Sequence, residues 1–380
     1  MIRKKVLIIS GLSVFAAGLI LAGFFVFKQF QNVKNLTNQL AGVSQELNQL
    51  KFADQYLINQ AQEATISAIQ KTFTQTIAAY EALLNLKLTA KTAADLDKLF
   101  TQILTYLSET NYASASASLS QFNDQLQAAQ TAAALQSVSI QPPAVQSNTP
   151  PGSGFSRQSV SADIGTYTVS LVAADLNSTR VIVDTASDST CTNACPVLPL
   201  ADYVARNNAF AGINGSYFCP ESYPSCAGKT NAFDTLLMNK NKVYFNSDNN
   251  VYSTVPAVLF SGSSPRFVSQ SLELGRDTSP DSVIANYPLL LKDGQVVFGG
   301  NDDPKQGSKG NRSFVANKGS TVYIGVVHNV TVAESARVLS ALGLDNALNL
   351  DSGGSTALWS SGYKVGPGRN LPNVILFVSR

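Results

Sequence analysis

TVYIGVVHNVTVAESARVLSALGLDNALNLDSGGSTALW, residues 321–359, carries the reading of the fold. Its first ten residues alternate in a strand pattern. That alternation puts His328 on the same face as Val322, Ile324 and Val326, at the strand end. Ala333–Leu342 then reads as a helix. Thr331 is its N-cap, Glu334 stands three residues on as in a capping box, and Gly343 is a good residue to end it. Ala347–Leu350 follows as a short buried strand, and Asp351 sits where that strand ends. Gly353 and Gly354 can take positive φ and admit a ligand close to the backbone. Their amides, with the Ser355 and Thr356 hydroxyls, have the makings of an anion nest; an ordinary turn into the next strand uses the same residues. The segment is not a P-loop, because it lacks the lysine and the four-residue gap.

Working outward, strand-like runs separated by Gly, Asn, Asp and Pro fill the chain from about Ser159 to its end. One more helix is expected at Leu200–Asn207. The C-terminal region, residues 159–380, is therefore a β-rich α+β domain, large enough for a substantial core. Within it FAGINGSYF, residues 210–218, repeats the texture of the opening stretch. A strand end meets Asn214 and Gly215, and the aromatics Tyr217 and Phe218 follow. Such aromatics serve core packing or stack on a sugar ring.

The Pro, Ser and Gly of residues 138–158 mark a linker. Residues 29–137 carry apolar residues at helical spacing and read as a helical stalk. Its first part, through Val33, Leu36, Leu40, Val43, Leu47 and Leu50, has the heptad seam of a coiled coil, open to self-association. Val6–Phe27 is 22 residues without a charge, preceded by Arg3, Lys4 and Lys5. That length predicts an uncleaved transmembrane signal anchor in preference to a cleaved signal peptide. The basic residues would stay in the cytoplasm, and everything after Lys28 would lie outside a cell membrane crossed once.

The formal charge of +2 and the lack of other basic runs exclude nucleic acid as a partner. The four cysteines, Cys191, Cys195, Cys219 and Cys226, have spacings of C-x3-C and C-x6-C with no histidine near, which argues against zinc. Three disulfide pairings are open. Cys191–Cys195 with Cys219–Cys226 is favoured, because each bond would staple a Pro-rich or Ser-rich loop.

GINGSYF, followed much later by VAESARVLSALGLDNALNLDSGGSTALW, resembles the phosphodiester glycosidase family over roughly residues 160–380. Asn214 and Gly215 match its first motif, Glu334 its helix, and Asn349, Leu350, Asp351, Gly353, Gly354 and Ser355 its last. Arg312 and Arg369 fall where the family tends to carry arginines. Two positions depart from the pattern. Ser352 replaces a glycine, and His328-Asn329 stands where an Asp-Gly pair is usual.

The resemblance implies hydrolysis of a sugar C1–O bond whose leaving group is a phosphodiester; the expected anchor and stalk add that the substrate is an envelope glycan or glycolipid. Asp351, Glu334 and His328 would then be the catalytic candidates. Asn214, Gly215, Arg312, Asn349, Gly353, Gly354, Ser355, Thr356 and Arg369 would bind a glycan or sugar-phosphate substrate, and no cofactor is required. Two other readings remain. One is a carbohydrate-binding or scaffold module whose site has changed. The other sets Asp351 with nearby Asn and Asp oxygens around a structural Ca²⁺.

Overall fold

The computed structural model describes residues 2–51, 54–89, 93–138, 143–250, 254–276 and 278–380. Four helices lead the chain: α1 (Ile2–Lys51), α2 (Asp54–Thr89), α3 (Ala94–Ser108) and α4 (Tyr112–Val138). Contacts divide the chain into two compact units, Met1–Lys71 and Thr72–Arg380.

The expected membrane anchor is corrected here, and with it the single-pass membrane location. Among the described residues no helix is long and apolar enough to cross a membrane. The helix that contains residues 6–27 runs on without a break to Lys51, through Lys28, Gln29, Gln31 and Asn32. The side chains of residues 6–22 lie outside the described ones. The coiled-coil expectation finds no support within the chain. Val33, Leu36, Leu40, Val43, Leu47 and Leu50 are all exposed, so their seam packs no partner helix among the described residues.

The second half of the expected stalk is helical but does not stand free. From Thr72 onward it belongs to the same compact unit as the β-rich region. The reason is its apolar stripe. Leu83 and Leu86 of α2, Phe100 and Ile103 of α3, and Leu119 and Phe122 of α4 bury one another in a helical core. The Pro-rich segment is tied down too. Val145–Gln146 pairs in parallel with Gly154–Ala162.

The β-rich part is α+β, as its alternation predicted. An eight-stranded sheet has Thr321–Val330 and Gly310–Lys318 at its centre, with Gly165–Asp175 on one side and Asn346–Asn349 on the other. A five-stranded antiparallel sheet places Ala211–Asn214 between Leu358–Ser360 and Asn373–Ser379. A second five-stranded sheet is centred on Ser282–Ala285. Side chains from all three sheets form one core, including Val183, Ile213, Phe260, Ile284, Val315, Ile324, Leu348 and Ile375.

The helix Val332–Ala341 closes the other face of the large sheet through Val332, Ala336, Val338 and Leu339. Its Thr331–Glu334 capping box forms as expected. The strands ending at Asn214 and Asn349 bring the two Gly-rich motifs together where the two sheets meet. The Asp351 amide donates to the Gly215 carbonyl at 2.9 Å.

Candidate active site

Asp351 lies half-buried in a cavity of about 690 Å³. The β-rich region supplies Tyr217, Phe218, Tyr223, Tyr287, Asp303, Lys305, Arg312, Ser352 and Arg369 to its wall. The opposite wall comes from α2 and α4, through Glu81, Asn85, Asn123 and Asp124 among others.

Burial pushes the Asp351 carboxyl up to about 6; a hydrogen bond from Ser355 and the charge of Arg369 hold it back. Its Oδ1 accepts the Ser352 amide at 2.8 Å. The group is thus ready to exchange a proton near neutral pH.

Arg312 and Arg369 share this cavity. Arg312 is buried, which lowers its pKa. It donates Nε to the Val330 carbonyl at 3.2 Å and Nη2 to the Lys305 carbonyl at 2.8 Å and to the Ser308 carbonyl. Among the described residues no carboxylate pairs with either arginine. Arg369 keeps Nε and Nη1 buried with no hydrogen-bond partner. Two guanidinium groups without a carboxylate ion pair, in the cavity that holds Asp351, make a site for an anion.

The bare loop serves close approach. A Cβ on Gly354 would collide with the Arg369 guanidinium and with Asn85. Gly353 has φ +64°. Ser352 sits at φ −143°, extended backbone open to any residue, so serine replaces the family's glycine there without strain. The anion nest expected over 353–356 is only partly available. The Ser355 and Thr356 amides turn inward to the carbonyls of Ser352 and Gly353.

Three sequence candidates are placed otherwise than expected. Glu334 does not line the cavity. Its Oε2 accepts the Thr331 amide at 2.8 Å, and Oε1 lies 3.4 Å from Lys309 Nζ, so it caps its helix instead of acting as a second catalytic carboxylate. His328 is also off the cavity. It bridges Ser170 Oγ at 2.9 Å and Asn311 Oδ1 at 3.1 Å, and burial lowers its pKa to about 4. It is therefore a neutral bracket, with Nδ1–H donating to Asn311 and Nε2 accepting from Ser170. The next residue, Asn329, takes φ 55°, a conformation asparagine tolerates better than most residues where the family has glycine.

Asn214 is wholly buried. Its Nδ2 donates to the Asp351 carbonyl at 2.6 Å, and its Oδ1 accepts from Ser313 Oγ at 2.9 Å and the Ala357 amide at 3.1 Å. Bonded through both side-chain heteroatoms and wholly buried, it positions Asp351 and presents no exposed atom to a sugar hydroxyl. Asn349 is buried beneath the site and donates to Tyr217 Oη at 2.6 Å. Burial and the Asp351 charge raise the Tyr217 pKa, which keeps the phenol protonated at the cavity wall.

His328→Ala is therefore expected to cost about 1–3 kcal/mol of stability, by leaving Ser170 and Asn311 without their partner. Turnover by the folded fraction should stay within a few-fold of wild type. Denaturant melts and active-site-normalised rates check both halves.

Sequence reasoning missed Lys305, Tyr223, Tyr287 and Asp303 as cavity residues. Tyr223 lies inside the Cys219–Cys226 loop, which forms as expected alongside Cys191–Cys195. Tyr287 meets Tyr217 edge to face at 5.0 Å. Among the described residues no group of three or more His, Cys, Asp or Glu could hold a metal ion.

Residues 207–378 match the family model described as phosphodiester glycosidase. Asn214, Gly215, Asp351 and both arginines fall inside the matched span. No curated protein sequence matches the chain.

Among solved structures, a hypothetical protein from Synechocystis is similar at 13% identity and TM-score 0.42, covering 60% of this chain and 62% of that one. The catalytic domain of zebrafish N-acetylglucosamine-1-phosphodiester alpha-N-acetylglucosaminidase, auto-inhibited by its pro-peptide, is similar at 13% identity and TM-score 0.45. It covers 63% of this chain and 87% of that one. The chain thus spans 62% of the Synechocystis protein's length.

Proposed function

We propose that this domain hydrolyses sugar-1-phosphodiesters, releasing a free sugar and a phosphomonoester. One observation carries the reading. A carboxyl raised to about 6 shares a cavity with two guanidinium groups that have no carboxylate partner. Breaking C1–O leaves positive charge on the sugar and added negative charge on the phosphate. Asp351, ionised, would stabilise the first and accept a proton as water bonds to C1. Arg312 and Arg369 would offset the second. A phosphate is a good leaving group, so a dedicated proton donor such as Glu334 is not needed. Tyr217 and Tyr287 offer an aromatic wall to a sugar ring.

The test is release of free sugar from an N-acetylglucosamine-1-phosphodiester by the full chain, beside Arg312→Ala and Arg369→Ala. Each variant should lose about 10²-fold in kcat/KM, the usual scale for a removed charge-stabilising donor. Wild-type rates in both would end this reading. Binding of the sugar phosphodiester without turnover would return the domain to the carbohydrate-binding class.

A further inference from the structure

Asn349 is wholly buried, yet its side-chain oxygen has no hydrogen-bond partner. Its nitrogen has two. Nδ2 donates to Tyr217 Oη at 2.6 Å and to the Tyr287 carbonyl at 3.1 Å. The second bond settles the sense of the first. A backbone carbonyl can only accept, so the atom that faces it is the amide nitrogen. Turning the amide over would set Oδ1 against the Tyr287 carbonyl and leave a buried N–H orphaned in its place. Tyr217 Oη therefore accepts from Asn349, and its own proton is left to donate elsewhere. Among the described residues none accepts it.

The phenol is also held from its backbone end. The Tyr217 amide donates to Asn286 Oδ1 at 2.9 Å, and Asn286 Nδ2 donates to the Asn349 carbonyl at 2.8 Å. Asn286 is wholly buried too, so the three residues close a ring of hydrogen bonds around a fixed phenol. Tyr217 lines the cavity that holds Asp351 and Arg312, and it feels the charge of both. Burial, and then the Asp351 charge, raises its pKa, so the proton stays on the oxygen wherever Asp351 is ionised. A fixed O–H with no protein acceptor, at the wall of such a cavity, is placed to meet a ligand oxygen.

We propose that the Tyr217 O–H donates a hydrogen bond to the oxygen joining sugar C1 to phosphorus, and that Asn349 is a positioning residue that keeps this proton free for the substrate. The assignment deepens the glycosidase reading above and rests on it for where the substrate lies. In that reading Asp351 faces C1 and Arg312 faces the phosphate. The departing oxygen then lies between the two charges that act on Tyr217. The C1–O electron pair leaves with the phosphate, water forms the new bond at C1, and the water proton passes to Asp351. Tyr217 keeps its own proton, and its hydrogen bond strengthens as the departing oxygen gains charge.

The experiment compares the full chain with Tyr217→Phe in two assays. In sugar release from an N-acetylglucosamine-1-phosphodiester, the variant is expected to lose about 10²-fold in kcat. In calorimetric titration with N-acetylglucosamine 1-phosphate, it should bind about ten-fold more weakly. Its fold should hold, because Asn349 Nδ2 keeps the Tyr287 carbonyl. Placing 3-fluorotyrosine at position 217 keeps the O–H and makes it a better donor, so kcat should be at least that of wild type. Asn349→Asp tests the positioning role. A buried neutral carboxyl can give its own proton to the Tyr287 carbonyl and then accept the phenol's. In that background Tyr217→Phe should cost less than about three-fold further. A merely structural Asn349 would leave the full penalty in place.

Wild-type turnover in folded Tyr217→Phe, or a 3-fluorotyrosine protein slower than wild type, would overturn the donor and leave the glycosidase reading standing. If no form hydrolyses the diester, weaker binding of the sugar phosphate by Tyr217→Phe keeps the donor and removes the glycosidase reading. Equal binding by both forms, or binding by neither, removes the two together.

Discussion

Asp351→Asn is expected to lower kcat for sugar release by about 10³-fold while leaving the fold intact. The amide keeps the shape, and its oxygen still accepts the Ser352 amide that now bonds Oδ1. Only the ionisable function goes. The wild-type pH profile should carry the same signature. Because burial raises the carboxyl from 3.8 to about 6, the working carboxylate grows in as pH rises through about 6. The acid limb of kcat/KM should therefore lie near pH 6, and the residual rate of the variant should not show it.

Stability should move the other way. A carboxyl whose folded pKa is raised favours the native state most fully below its unfolded value. That contribution is lost as pH rises through about 6. At pH 7.5 the wild type holds an ionised group where a neutral one is preferred, at a cost of about 1–3 kcal/mol. Asp351→Asn removes that cost and should melt higher than wild type at pH 7.5, with the difference shrinking towards pH 4. An inactive variant that is also more stable would mark Asp351 as a residue held for chemistry.

The parts of the fold readable from sequence were those whose cause is local. The strand 321–330, the helix 332–341 with its Thr331–Glu334 box, and both disulfides depend on periodicity, capping and loop length within a few residues. The candidate site was readable as positions more than as roles. Asp351, Arg312 and Arg369 do meet in one cavity. Glu334, His328 and Asn214 look equally chemical in the sequence, yet each spends its polar atoms on structure. A side chain's commitments are set by neighbours drawn from anywhere in the chain. Asn214 and Ser313 are 99 residues apart, and Asn85 and Arg369 are 284 apart.

The same limit hid Lys305 and Tyr223, since a lysine in a turn and a tyrosine in a stapled loop carry no local mark of function. The helices show it at a larger scale. Their spacing announced helix correctly, but spacing does not say what a helix packs against. The wall that α2 and α4 give the cavity could not be read from it.

Gly215→Ala should have the largest effect on folding of any single methyl added near the site. The Cβ would lie 2.8 Å from the Asn373 backbone oxygen and 3.0 Å from its carbonyl carbon, and would collide with the Asn373 side chain. None of these can yield cheaply. Asn373 begins the strand Asn373–Ser379, its carbonyl accepts the Gly215 amide at 3.1 Å, and its Oδ1 accepts the Ser216 amide at 2.9 Å. Relief therefore requires the backbone at Gly215 to move. That displaces the carbonyl which accepts the Asp351 amide, and shifts Asn214, whose side chain holds the Asp351 carbonyl. Overpacking and lost buried hydrogen bonds act together, for an expected loss of at least about 3 kcal/mol. Urea melts would read it, as a lower midpoint or as failure to recover folded protein. Any folded fraction should also turn over slowly, because the displaced strand end is the one that aims Asp351. A Gly215→Ala protein with wild-type stability and rate would mean that the two sheets do not meet at Gly215 and Asp351 as described.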